Sequence, residues 1–316
     1  MINYFMHIEA HSSLARLIYI TEAFVATFLW ASSYVLIKWS LTEMDPISIA
    51  YVRYLVGGIS LFIIYSLLIK GYKIRSGLKV TKIIVWLLGF TGFFIAPVFQ
   101  YWGLDLLTAT QVAFLMNLTP LWVLVFGNIL MGEKPNTIQS IGIGIVFIGI
   151  LLYYLKEIIL LKWETIGIIV TLTASVSWAL YIILTRYHLI TNTQTLNNEK
   201  GYIIKLTTYS MIIGSVLLTP FSTNFYSNLI QYRISINVLM ILLWLGVVNT
   251  ALAYTIWNHS LKYLKAFQAS IIQSMILIEV LILSLIFLNE SVNILKLSGI
   301  LVLTGGVILV NFKENN

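Results

Sequence analysis

The chain contains one stretch of itself twice. Leu107–Tyr154 laid over Leu264–Asn311, an offset of 157 residues, gives 12 identities in 48 positions. Gln111 meets Gln268, Glu133 meets Glu290, Asn136 meets Asn293, Gly142 meets Gly299 and Gly149 meets Gly306. Coincidences of Ile or Leu carry little weight in so apolar a chain, so the polar and glycine matches decide. Gly89 and Gly246 keep the same register upstream. A shorter offset of 148 pairs Trp30-Ala31 with Trp178-Ala179, and Lys38 with Arg186. Two copies of an apolar unit in one chain are the usual sequence sign of a secondary transporter.

What kind of unit is repeated follows from hydropathy. Apolar blocks of about 20 residues alternate with short polar breaks, the pattern of helices that span a bilayer. At 59% hydrophobic and 10% charged residues, the chain lacks the charge to cover a water-soluble surface. The expected spans are 17–38, 46–69, 83–102, 106–131, 137–155, 165–186, 202–221, 237–259, 265–288 and 293–312. The expected fold class is an all-α integral membrane protein. Five spans match five, and five is odd, so the second unit (165–312) enters the membrane inverted relative to the first (17–155). The first block is too long for a signal-peptide core, and Leu29-Trp30-Ala31 is a poor cleavage site, so it reads as a retained span.

Charge placement fixes an orientation. With the N-terminus in the cytoplasm, 13 Lys and Arg fall in cytoplasmic segments, including Lys70, Lys73, Arg75, Lys79 and Lys82, and five fall outside. This bias puts both termini in the cytoplasm. It also explains the net charge of +7 as loop charge on one membrane face, with no nucleic-acid partner. No cysteine is present, so neither a disulfide nor a thiolate metal site can form.

Charge inside the bilayer is the sharpest functional signal, because each such group costs about 3 kcal/mol on insertion scales. Glu279 falls inside span nine and Arg53 about two turns into span two. Glu279 reads as a site for a proton or a cationic substrate group. Arg53, or Lys38 at the end of span one, reads as facing a carboxylate. The competing readings are a structural ion pair for Arg53 and snorkelling to the interface for Lys38 and Arg186. Glu133 and Glu290 read as caps of the helix that follows each. Polar and aromatic residues within spans are the remaining candidates: Trp30, Tyr34, Gln100, Gln111, Asn117, Trp178, Asn249, Tyr254 and Gln273. Each needs a partner or a hydrated cavity. Pro97 and Pro120 lie within spans and kink them. Glycines seven apart, at 142 and 149 and at 299 and 306, mark close helix packing.

Soluble-type chemistry finds no support. There is no HExxH, no G-x-S-x-G, no phosphate-binding glycine loop and no cofactor motif. The chain reads as a non-enzyme without cofactor or metal, whose partners are the lipid bilayer, a small-molecule substrate and, as a candidate coupling ion, the proton.

The combined motifs resemble a known family. Ala109–Tyr154, with Asn117-Leu118-Thr119-Pro120 and Gly132-Glu133 ahead of Gly142 and Gly149, resembles one EamA domain of the drug/metabolite transporter superfamily. Leu245–Val310, with Asn249-Thr250, Trp257 and Asn289-Glu290, resembles a second. Trp30-Ala31, Lys38, Pro46 and Arg53 are similar to the family's opening pattern. The resemblance implies ten transmembrane helices as an inverted 5+5 repeat around a central cavity. It also implies export of small metabolites, such as amino acids or drug-like compounds, across the inner membrane. One departure stands out: Leu277 is opposite Pro120, and Glu279 opposite Trp122.

The expected function is therefore secondary transport, gradient-driven or facilitative, by alternating access. The expected cavity residues are Trp30, Tyr34, Arg53, Asn117, Trp178, Asn249, Tyr254 and Glu279. A non-transporting structural or sensory membrane protein, and an intramembrane lipid-linked transferase, are the alternatives. The orientation has a direct test. A fluorescent protein that folds only in the cytoplasm should fluoresce when fused after Asn316, and alkaline phosphatase at that position should stay inactive. The opposite pattern would reverse the charge argument.

Overall fold

With no water in the hydrocarbon layer to take up N–H and C=O groups, a chain this apolar satisfies its backbone within helices. The computed structural model describes residues 13–69, 82–131, 137–160, 164–191, 201–230, 234–260 and 272–310, and among the described residues there is no strand. In the first half, α1 (Ser13–Ser40), α2 (Pro46–Ile69) and α3 (Lys82–Phe90) come first. A π turn (Thr91–Ile95) then runs on into α4 (Ala96–Leu106). α5 (Ala109–Met116) and α6 (Thr119–Met131) are pieces of one interrupted helix, and α7 (Thr137–Leu160) follows. In the second half come α8 (Glu164–Thr191), α9 (Tyr202–Leu218), the short α10 (Thr223–Ile230) and α11 (Ile236–Gly246). A second π turn (Val247–Leu252) leads into α12 (Ala253–Ser260), and α13 (Ile276–Phe287) and α14 (Ile294–Val310) complete the fold.

Among the described residues, seven helical stretches are long and apolar enough to cross a membrane: Leu17–Ser40, Pro46–Leu67, Ile83–Leu106, Ala109–Leu130, Thr165–Thr185, Tyr202–Phe221 and Ile236–Trp257. The expected spans at 137–155, 265–288 and 293–312 coincide instead with shorter apolar helices, Ser140–Tyr153, Ile272–Phe287 and Ile294–Leu309. Glu133, Asn136 and Gln268, with the basic stretch at 70–81, lie outside the described residues.

The exterior is as apolar as the core. Leu67, Ile129, Ile286 and Leu301 point outward, while the polar Arg53, Gln111, Asn249 and Glu279 are buried among a mostly hydrophobic interior. Apolar side chains turned out and polar ones turned in are what lipid selects. Many buried hydroxyls carry no further message. Thr207, Thr208, Ser210 and Ser215 of α9 each donate to the carbonyl four residues back, at 2.7–2.9 Å.

The halves pack on each other reciprocally. A Cβ on Gly57 of α2 would stand 2.7 Å from Thr250 Cγ2 in the second π turn, and one on Gly214 of α9 would overlap Phe93 in the first. Gly57 and Gly214 are 157 residues apart, and so are Phe93 and Thr250. The exchange recurs one position along: Gly89 lies against Ser210 and Ile213, and Gly246 against Arg53 and Val56. At α7 and α14 the backbones themselves meet. A Cβ on Gly149 would come 2.6 Å from Leu303 N, one on Gly306 2.7 Å from Val146 N, and one on Gly299 2.8 Å from Tyr153 N. Rising numbers in α7 meet falling numbers in α14, so these repeat-related helices run antiparallel.

This contact yields a matched pair of substitutions. Gly149→Ala should destabilise the protein by about 1–3 kcal/mol through overpacking, read as a lower melting temperature in detergent. Gly144 has open space around it, so Gly144→Ala should be neutral or stabilising by up to about 1 kcal/mol. Equal effects at both positions would mean that close approach does not hold α7 to α14.

Candidate functional site

Of four irregularities in the helices, three line one cavity and the fourth, the second π turn, is joined to it through Arg53. Pro97 has no N–H to offer the Phe93 carbonyl, and the helix widens just ahead of it, with Ala96 N donating to Thr91 O. The second π turn has no proline. There Thr250 Oγ1 donates to Leu245 O at 2.8 Å, five residues back, and serves the widened turn with a side chain. The third irregularity is the break at Asn117-Leu118, followed by Pro120, and the fourth is the turn at Met275 before α13. Asn117 Nδ2 donates to Ser274 O at 3.3 Å, so two breaks 157 residues apart touch. Leu277 in place of a proline does not restore a continuous helix.

A cavity opens among these breaks. The volume open to the centre of a water-sized sphere is ≈ 110 Å³. By that measure one water needs about 10–15 Å³, so the chamber holds several waters or a small solute. Its walls come from both halves: Trp30 and Tyr34 of α1, Arg53 and Tyr54 of α2, Gln100 of α4, Asn117, Trp178, Tyr254, Gln273 and Ser274. Trp30 meets Tyr254 edge-on at 5.2 Å between centroids, and Trp178 stacks on Tyr181 at 4.8 Å. These contacts fix the aromatic walls.

Among the described residues, Arg53 is the only charged one on those walls, and it is 5% exposed. Its Nε donates to Thr250 Oγ1 at 2.9 Å, Nη1 to Tyr101 OH at 3.0 Å and Nη2 to Asn249 O at 3.4 Å. The guanidinium also faces the rings of Tyr54 and Tyr101, at 5.7 and 6.0 Å, a favourable setting for a cation. The expected alternative of a structural ion pair is not met: every hydrogen-bond partner of Arg53 in the described structure is neutral.

Of the residues expected at a site, Trp30, Tyr34, Arg53, Asn117, Trp178 and Tyr254 line one cavity. Asn249 and Glu279 do not line it. Asn249 Nδ2 donates to Leu29 O and, at 2.8 Å, to Ser32 Oγ. It ties the second π turn to α1 while its own carbonyl receives Arg53. Glu279 is buried in the first turn of α13. Its Oε1 accepts from Thr27 Oγ1 at 3.3 Å, and its Oε2 has no partner among the described residues. Tyr54, Gln100 and Gln273 are wall residues outside the expected set. Gln100 follows Pro97 by three positions, a shared helix face that points to it once the kink is recognised.

A carboxylate also ties the two halves together away from the cavity wall. Glu290 Oε1 accepts from Ala109 N at 2.6 Å, and Oε2 accepts from Thr110 N at 3.2 Å and Thr110 Oγ1 at 2.8 Å. The expectation that Glu290 caps the helix following it is corrected here: Asn293 Oδ1 takes Lys296 N at 2.9 Å and caps α14, while Glu290 crosses to the other half. Asn289, at φ 51°, turns the chain so that it can. Lys38 Nζ donates to Leu104 O and, at 2.8 Å, to Leu107 O. It serves carbonyls at the end of α4. Gln111 is engaged in a capping box with Thr108 and is not a wall residue. Among the described residues, no group of three His, Asp or Glu stands close enough to hold a metal ion.

Comparison with known proteins agrees on the kind of molecule. The EamA-like transporter family model matches residues 17–155 and again 165–312. An uncharacterized transporter of Archaeoglobus fulgidus is 24% identical over 290 residues, covering 91% of this chain and 95% of its own. The uncharacterized transporter YoaV of Bacillus subtilis is 22% identical over 287 residues, covering 90% and 94%. One solved crystal structure superposes with a TM-score of 0.63 over 93% of this chain and 97% of its own, at 15% identity, a likeness of fold.

Removing the cross-half carboxylate should be felt in stability. Glu290→Ala leaves two N–H groups at the start of α5 without their acceptor, and the loss should be about 1–3 kcal/mol. The measurement is thermal unfolding in detergent. A melting temperature equal to that of the unmodified protein would show that Glu290 does not hold the halves together.

Proposed function

Because the chain belongs to the EamA-like transporter family, we propose that this membrane transporter is a secondary exporter of small metabolites, such as amino acids or drug-like compounds, working by alternating access. Ten membrane helices form two inverted units, 17–155 and 165–312, with both termini in the cytoplasm and the chain in the inner membrane. The antiparallel packing of α7 on α14 supports the inversion, as do the reciprocal contacts of Gly57 with Thr250 and Gly214 with Phe93. The Lys and Arg bias supports the orientation.

The observation that carries the reading is the cavity at the meeting point of the helix breaks, walled by both halves. Irregular backbone at membrane depth is tolerated where it lines a cavity, and broken helices surround the sites of many transporters. Trp30, Tyr34, Trp178 and Tyr254 hold apolar parts of the solute, while Asn117 and Arg53 read its polar part. Asn249 acts through Arg53 as a positioning residue. A scaffold without transport would disperse its intramembrane polar groups; here Arg53, Gln100, Asn117 and Gln273 share one cavity wall, while Asn249 and Glu279 stand off it. A lipid-linked transferase would need clustered acids or histidines on one face, and the cavity wall carries neither.

Glu279 is the proton site in this reading. It is a carboxyl buried at membrane depth with one hydrogen bond, from Thr27 Oγ1 at 3.3 Å, and in this reading its uptake and release of a proton link export to the proton gradient. The test is a screen of radiolabelled amino acids and amphipathic metabolites in proteoliposomes, with and without an imposed proton gradient. Accelerated movement of at least one solute is expected, and Glu279→Gln should abolish the acceleration while leaving the melting temperature within a few degrees. No movement of any solute would sink the transport reading, and unchanged coupling in the variant would remove Glu279 from it.

A further inference from the structure

We infer that the solute is held in this cavity through a carboxylate, and that Arg53 receives it. The inference rests on the transport reading for its biological meaning, but its physical basis is the wall of the cavity. A guanidinium carries five N–H donors. Three are used, on Thr250, Tyr101 and Asn249 O, which leaves one on each terminal nitrogen. No carboxylate lies within ion-pair reach of Arg53 among the described residues, and no acidic side chain stands on the cavity wall. A buried cation without an anion is unfavourable in a membrane interior. Two donors without a described partner and an unbalanced charge on the wall of this cavity are what a carboxylate completes, because guanidinium pairs with it through two parallel hydrogen bonds.

The surroundings set the rest of the solute. Trp30, Tyr34, Trp178 and Tyr254 form the walls and suit an apolar or aromatic body. α6 and α13 both begin at the cavity, since Thr119, Pro120, Ile276 and Leu277 line it. Helix N-termini carry partial positive charge, and the C-terminus of α5, which also lines the cavity at Met116 and Asn117, carries partial negative charge, so the sign of the wall is set by Arg53. A cationic solute meets no opposite charge on this wall. The class is therefore a small organic acid with one carboxylate on an apolar or aromatic body. An amino group is accommodated by the wall amides but is not what binds.

Equilibrium binding of radiolabelled phenylacetate to the full-length protein in detergent tests this, with unlabelled phenylacetate, phenylalanine, phenylacetamide and phenethylamine as competitors. The two carboxylates should compete, and the amide and the amine should be weaker by about tenfold or more. Phenylalanine against phenylacetate separates an amino acid from a simple acid. Arg53→Gln should lower phenylacetate affinity by about tenfold or more, with Arg53→Lys in between, because a single ammonium keeps the charge and loses the paired geometry. Should Arg53→Gln fail to fold, the competition series on the unmodified protein and the Lys variant decide. Absence of saturable phenylacetate binding overturns the inference, and so does an amide that competes as well as the acid, or an unchanged Arg53→Gln. The two readings fail separately. Neutral or cationic solutes crossing vesicles would leave transport standing without the carboxylate site, and phenylacetate binding with no solute moved would do the reverse.

Discussion

Backbone groups that lose their helical partners in lipid must find others, each at a cost of several kcal/mol if they do not. This structure concentrates its irregular backbone in one place. Two π turns and two helix breaks gather at the centre, and each is served from within: by the Thr250 hydroxyl, by the Asn117 amide on Ser274 O, and by a widened turn ahead of Pro97. A straight helix would need none of these partners, and it would leave no chamber. The cavity follows from how the chain handles broken hydrogen-bond ladders at membrane depth.

Arg53 shows how tightly site and scaffold are joined. Its partners Thr250 and Asn249 belong to the second π turn, on the opposite half of the chain from α2. Asn249 in turn holds α1 through Leu29 O and Ser32, next to the cavity residues Trp30 and Ser33. α1, α2 and the π turn are thus fixed to one another through a single hydrogen-bonded cluster with the guanidinium at its hub. A shift of one half against the other must strain or remake these bonds, so the charge on the cavity wall and the packing of the halves are not independent.

Much of this was legible in the sequence, for physical reasons. Glycines at fixed offsets survive as a signal because a side chain there would collide with a partner backbone, as at Gly149 against Leu303 N. Arg53 stood out because charge is rare in a bilayer. Three features were not legible. The π turns have no residue signature of their own: one precedes a proline and the other does not. Glu290 reads locally as the cap of its own next helix, and only the fold brings it to Ala109 and Thr110, some 180 positions earlier. Asn249 and Glu279 are polar within spans just as Asn117 is, but hydropathy does not say which way a side chain points. Span counting met a similar limit, since an apolar window measures composition and three of the ten windows fall on shorter helices.

The two halves share a shape but not a chemistry. Gly57 and Gly214 play the same part, as do Gly149 and Gly306, so the backbone frame obeys the repeat. At the functional positions the repeat is broken. Arg53 of α2 corresponds to Ser210 of α9, and Glu279 corresponds to Trp122. Trp122 Nε1 and Glu279 Oε2 are both buried without a partner, one a donor and the other an acceptor at equivalent places. A symmetric frame allows two mirrored conformations of similar energy, which is what alternating access requires. Symmetric chemistry would give both conformations the same affinity for solute and proton, and a ligand bound equally in both shifts nothing. In the proposed mechanism, confining the cation to one half and the acid to the other would let a bound solute and a bound proton each favour one side. Direction can then come from a frame that has none of its own.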